Sequence, residues 1–184
     1  MKNILITGGA GFIGSNPSLQ LLQKGYRITV LDCLHPQIHG ENPELTSPLY
    51  QSIKDKVHFI KGDVTNKSDW QKALENQHIV VHFAAETGTG QSMYEIERYT
   101  NVNVSGTAIL LDYLTNESHH IEKVIVASAD TGISLYRFNP DGTFDLSFGN
   151  NGHFYFNSKG KIYGSENKVI AIQENNKIIC AGRY

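Results

Sequence analysis

The stretch "ITGGAGFIGS" constrains this chain more than any other. Gly8, Gly11 and Gly14 recur at three-residue intervals. The loop follows the apolar run "NILIT" and opens the amphipathic segment "FIGSNPSLQLLQKG". In a strand–turn–helix unit of this kind the first glycine permits a tight turn. The second lets backbone approach a diphosphate, and the third lets helix and strand pack closely. The unpaired amides of the first helical turn, at the positive end of the helix, then face the anion. Glycines also gather in ordinary turns, so the context decides. A second apolar run, "RITVLD", ends on Asp32, where a carboxylate accepts hydrogen bonds from an adenosine ribose and repels a 2′-phosphate. The expected cofactor is therefore a dinucleotide, NAD in preference to NADP.

The rest of the first 130 residues keeps the same rhythm. "KVHFIKGDV", "HIVVHFAA" and "KVIVASA" are β-branched runs of strand length. Between several of the strands lie the helix-like segments "SDWQKALENQ" and "SMYEIERYTNVNVSGTAILLDYLTNES". Strands apolar on both faces and joined by crossovers form a parallel sheet covered by helices. Right-handed crossovers predict an α/β, doubly wound parallel sheet of order 3-2-1-4-5.

After Gly132 the spacing shortens. "ISLYRFN", "HFYFN", "KVIAIQ" and "KIICAGRY" are short strands separated by "PDG", "GNNG", "SKGK" and "ENN". Such turns predict a small antiparallel β-meander without a helix of useful length. Two units are expected, residues 1–130 and 133–184.

Composition excludes several classes. Sixteen Lys and Arg stand against 18 Asp and Glu with no long same-sign run, which argues against nucleic acid or an anionic membrane as partner. No apolar run approaches the ~20 residues that span a bilayer. The opening "MKNILITGG" lacks the form of a signal peptide. Two distant cysteines, Cys33 and Cys180, suit a reducing compartment better than a disulfide scaffold. A cytoplasmic location is the expectation.

The elements "TGGAGFIGS", "VLD", "GDV", "HFAAE" and "NVSGT" together resemble the front of the extended short-chain dehydrogenase/reductases, the nucleotide-sugar epimerases and dehydratases. "LHPQIHG" and "GQSMYEI" are similar to the branch containing deoxysugar 4-epimerases. The resemblance covers residues 1 to about 130 and implies a Rossmann fold, bound NAD and a nucleotide-sugar substrate. It also implies a cofactor site made of Gly8, Gly11, Phe12, Ile13, Gly14 and Asp32. Asp63 and Val64 would flank the adenine, and Phe83, Ala84 and Ala85 would line the cofactor after the fourth strand. Asn103 would fix local backbone, and Ser128 would approach the nicotinamide. The family oxidises a sugar hydroxyl by hydride transfer, with a tyrosine as base, a lysine beside it and a Ser or Thr hydroxyl assisting.

The resemblance fails where that machinery belongs. "VASADTGISLY" places Ala129 at the position of the assisting hydroxyl. "YRFNPDGTFDLSFGNNG" and "VIAIQENNKIICAG" instead resemble a delta-sixty repeat, a β-propeller-type unit, over residues 133–184. That likeness implies self-association or docking on the preceding sheet, because one such repeat cannot bury both faces. Tyr155 and Lys159 have the Tyr-x-x-x-Lys spacing, but such a pair needs a helix to bring the two residues together on one face. "YFNSKGKIYG" has poor helix propensity, and on a strand the two residues stand roughly 13 Å apart. The expectation is an NAD-binding part with no catalytic residues assigned. A shortened active epimerase using Tyr155 and Lys159, or a non-enzymatic β-repeat module, is the alternative. No metal ligands are expected, because the adjacent His119 and His120 do not converge on one ion and instead suit a solvated helix end. His78 and His82 should pack or reach solvent. Met93, Tyr94 and Ile96 would touch a sugar in the full family, and in this chain are otherwise expected as core or exposed residues. Pro17, inside the first helix, removes an N–H at a cost of about 3 kcal/mol.

Overall fold

The computed structural model describes residues 1–129, 133–138, 143, 145–151, 153–156, 168–172 and 178–182. In chain order the first part runs β1 (Asn3–Thr7), α1 (Phe12–Gln23), β2 (Arg27–Asp32), α2 (Pro36–His39), α3 (Pro43–Thr46), α4 (Pro48–Ile53), β3 (His58–Lys61), α5 (Lys67–Leu74) and β4 (Ile79–His82). It continues through α6 (Thr89–Ser92), α7 (Ile96–Thr100), a π-helical stretch (Asn101–Ser105), α8 (Gly106–Asn116) and β5 (Lys123–Ala129). The five strands pair in parallel in the order β3-β2-β1-β4-β5. This is the doubly wound order that the alternation of apolar runs predicts.

Period-two alternation along each strand divides the core between the two faces of the sheet. Leu5, Leu31, Val80 and Val124 join Trp70 of α5 and Leu110 of α8 on one side. Ile4, Ile6, Val30 and Val81 join Leu21 of α1 and Ile53 of α4 on the other. Trp70 is fully buried, and its Nε1–H donates to the Val64 carbonyl at 2.7 Å. That bond satisfies the one polar group its burial would otherwise strand. Among the described residues no helix is long and apolar enough to cross a membrane.

Three features differ from, or add to, the sequence reading. The segment after β2 is not a plain connection but three short helices, each with a proline in its opening turn, where the missing N–H is harmless. Helix α1 continues through Pro17, which is buried. At the next residue, the Ser18 hydroxyl bonds one turn back to the Gly14 carbonyl at 2.7 Å. Finally, the strands of the second part do not stand clear of the sheet. β6 (Ile133–Phe138) pairs antiparallel with β5, and β7 (His153–Phe156) pairs antiparallel with β6, giving one seven-stranded sheet. β8 (Lys168–Ile172) and β9 (Ile178–Gly182) form a separate antiparallel pair, with β8 close to α1.

Candidate functional site

The crevice lies where α1 leaves β1 and the chain order turns away to β2 on one side and β4 on the other, the usual ligand position in an open α/β sheet. Gly8 takes φ +65°, and a Cβ on it would stand 2.8 Å from the Ala84 amide nitrogen. The turn thus presses directly on the segment after β4. A Cβ on Gly14 would lie 2.2 Å from the Gly8 carbonyl oxygen, so helix and turn interlock through that glycine. Gly11 differs: a Cβ there would meet only the Gly8 carbonyl, at 3.2 Å. Packing demands glycine at 8 and 14, whereas at 11 the missing side chain leaves the loop surface open.

Gly11 caps α1 without a side-chain acceptor. Among the described residues nothing accepts from the amides of Phe12, Ile13 and Gly14, three of the donors that a helix start leaves unpaired. Phe12 is exposed. Asp32, buried at the end of β2, ties the loop to that strand. Its Oδ2 accepts from the Ala10 amide at 2.9 Å and its Oδ1 from the Leu34 amide at 2.9 Å. Each oxygen keeps a lone pair for a further donor.

His39 stands behind this carboxylate, with Nε2 at 3.9 Å from Asp32 Oδ1 and Nδ1 at 2.8 Å from the Ser47 hydroxyl. Burial pushes its pKa below the ordinary value, against the raising pull of Asp32.

The other walls come from the ends of β3 and β4. Asp63 Oδ1 accepts from both the amide and the hydroxyl of Thr65 at 2.8 Å. The Val64 side chain belongs to the core, and among the described residues its amide has no acceptor. The Phe83 amide donates to the Thr7 carbonyl at 3.1 Å, the Ala84 amide to Thr7 Oγ1 at 3.1 Å, and Ala85 is exposed. Asn103, on the π-helical stretch, accepts from the Glu86 amide at 2.8 Å and donates to the Glu86 carbonyl at 3.0 Å, holding the backbone just past Ala85. π-Helical stretches often mark such sites.

Sequence reasoning left His82 between packing and solvent; it is packed, and it links these walls. Its Nδ1 lies 2.6 Å from Thr7 Oγ1 and its Nε2 3.1 Å from Thr107 Oγ1. The Thr107 hydroxyl donates to the Asn103 carbonyl at 3.0 Å, so Thr107 accepts from His82 Nε2–H and Nδ1 accepts from the Thr7 hydroxyl. One tautomer of the neutral ring satisfies every partner. Burial pushes its pKa down to about 4. The signal available in sequence was a histidine ending an otherwise apolar strand, a buried polar group that must find partners.

His119 closes α8 by bonding the Leu114 carbonyl at 3.0 Å and accepting from the Ile121 amide at 3.1 Å. Among the described residues no three potential metal ligands stand together. Met93, Tyr94 and Ile96 are exposed.

Ser128, expected near the nicotinamide, and Tyr155, which the alternative reading pairs with Lys159, fall beyond these walls. Ser128 pairs in register with Ser134, and Ser134 with Tyr155. Tyr155 therefore sits on a strand, two strand spacings or about 10 Å from Ser128. Lys159 lies outside the described residues.

A loop opened by Gly11, unpaired first-turn amides and a buried carboxylate with spare lone pairs form a donor and acceptor set that fits a diphosphate and a ribose. Comparison with known proteins agrees. The model of the NAD dependent epimerase/dehydratase family matches residues 4–139. A dTDP-L-rhamnose 4-epimerase of Burkholderia thailandensis is 39% identical over 130 residues, covering 70% of this chain and 34% of the relative. A bifunctional UDP-glucose 4-epimerase and UDP-xylose 4-epimerase of Arabidopsis thaliana is 33% identical over 132 residues, covering 71% and 37%. The solved UDP-glucose 4-epimerase of Bifidobacterium longum, in complex with NAD+ and UDP, has a TM-score of 0.56 at 29% identity, covering 71% of this chain and 38% of that one. The chain spans just over a third of the length of these relatives. It belongs to the NAD-dependent epimerase/dehydratase family.

Proposed function

We propose that this chain binds NAD in the crevice between the ends of β2, β1 and β4, as the cofactor-holding part of a nucleotide-sugar epimerase or dehydratase. The observation that carries the proposal is the coupling of loop and carboxylate: Asp32 grips the Ala10 amide, so diphosphate site and ribose site are built as one unit. In this reading the amides of Phe12 and Ile13 meet the diphosphate, and Asp32 accepts the ribose hydroxyls and disfavours a 2′-phosphate. Asp63 and the Val64 amide flank the adenine. Phe83, Ala84 and Ala85 line the far wall, with Ser128 toward the nicotinamide. Bound NAD supplies a hydride acceptor and, once reduced, a donor. A nucleotide sugar would lie beyond it, with exposed Met93, Tyr94 and Ile96 as its first apolar contacts.

The same proposal holds that the catalytic pair is unassembled. Its support is that Tyr155 lies on strand β7 rather than on the helix that a Tyr-x-x-x-Lys pair needs to bring its tyrosine and lysine together, and that Ala129 stands at the position of the assisting hydroxyl. Residues 133–184 are proposed to be a second unit of delta-sixty type whose first strands cover the sheet edge at β5. Isothermal titration tests the cofactor assignment. NAD should saturate one site with a micromolar or weaker dissociation constant, and Asp32→Ala should weaken binding at least tenfold. Absence of heat and saturation with NAD contradicts the assignment.

A further inference from the structure

The two segments that point most narrowly to one branch of the family, "LHPQIHG" and "GQSMYEI", lie on opposite sides of the crevice and touch. Gln37 of α2 donates from Nε2 to Gln91 Oε1 of α6 at 2.8 Å. Gln91 Nε2 donates to Glu95 Oε1 at 2.7 Å. Arg98 reaches Glu95 through Nη1 at 2.6 Å and Glu86 through Nε at 2.9 Å, and Glu86 is the residue whose backbone Asn103 holds. α2 follows β2 and α6 follows β4, the two strands that flank β1. The Gln37–Gln91 bond therefore joins the two walls between which a dinucleotide seated on the α1 loop would lie.

The two halves of this bridge are held unequally. Gln91 belongs to a connected set that ends on the backbone past β4. Gln37 is exposed on a four-residue helix, anchored at its far end where His39 meets Ser47. Among the described residues the Gln37 side chain has this one side-chain partner, whereas Gln91 is also held by Glu95, and a single neutral hydrogen bond separates the joined from the parted state.

We propose that Gln37 and Gln91 are a positioning pair that gates the crevice and sets how fast a dinucleotide enters and leaves; this rests on the NAD assignment above. Because the bond parts for entry and for exit alike, it slows both steps while leaving the affinity nearly unchanged. A net hydrogen bond of ordinary strength corresponds to roughly a three- to tenfold change.

Stopped-flow fluorescence with NADH, on the full chain and on Gln37→Ala, Gln91→Ala and the double variant, reads this directly. The expected result for Gln37→Ala is association and dissociation rates that rise together by about fivefold, with the dissociation constant within about twofold and an unchanged melting temperature. The double variant should gain no more than the larger single effect, because both changes break one bond. Rates equal to those of the unchanged chain overturn the gate. So does faster dissociation alone with matching loss of affinity, the mark of a merely structural contact. Failure of the unchanged chain to bind NADH overturns both the gate and the assignment beneath it.

Discussion

A methyl group meets different neighbours at Gly14 and at Gly11, and that contrast separates packing from binding. At Gly14 it would stand 2.2 Å from the Gly8 carbonyl, so Gly14→Ala should lower unfolding stability by about 3 kcal/mol through overpacking. At Gly11 the contact is 3.2 Å and the backbone is extended. Gly11→Ala should cost no more than about 1 kcal/mol yet weaken NAD binding at least tenfold. Urea unfolding and titration calorimetry on the same samples check both. Equal stability losses would mean that Gly11 serves packing.

His82 yields a pH prediction. Its folded pKa of about 4 lies below the ordinary 6.5, so the unfolded chain takes up a proton first as pH falls. Stability should decline from pH 6.5 to about 4 by about 3 kcal/mol and then level off with respect to this group. His82→Gln should flatten that segment of the stability profile; an unchanged slope would show that other groups produce it. The glycines and Asp32 were legible in the sequence because their spacing falls in a local strand–turn–helix context and at the end of the next apolar run. The Thr7–His82–Thr107 chain was not, because its bonds join residues 75 and 25 positions apart.

At the scale of elements, α1 is the compromise. Pro17 is buried inside it and supplies no amide to the preceding turn. Pro17→Ala restores a helical hydrogen bond and relieves the ring's clash with the preceding turn, at the loss of some buried carbon. The net expectation is a gain of about 1–2 kcal/mol, read as a higher melting temperature. A lower one would mean that the ring's packing outweighs the helix defect. Strands β1 to β5 were legible because β-branched runs report burial on both faces. Helices α2, α3 and α4 were not, since four to six residues are too few for a helical period to emerge. Their prolines at Pro36, Pro43 and Pro48 were the readable sign.

Across the whole molecule, the parallel order followed from the alternation of elements, but the fate of the edge did not. The pattern of "ISLYRFN" indicates a strand without indicating its partner, and only the fold places it along β5 in a seven-stranded sheet. Strands β6 and β7 thus cover the β5 edge of the parallel sheet, away from the crevice at the ends of β1, β2 and β4. The central claim is that this crevice holds NAD through the loop and Asp32. Thermal unfolding with and without 1 mM dinucleotide, a concentration on the order of 10–100 times a micromolar-range dissociation constant, tests it most directly. The account predicts that NAD raises the melting temperature by at least about 3 °C and NADP by less than about 1 °C. An unmoved transition with NAD, or equal shifts with both, would contradict it.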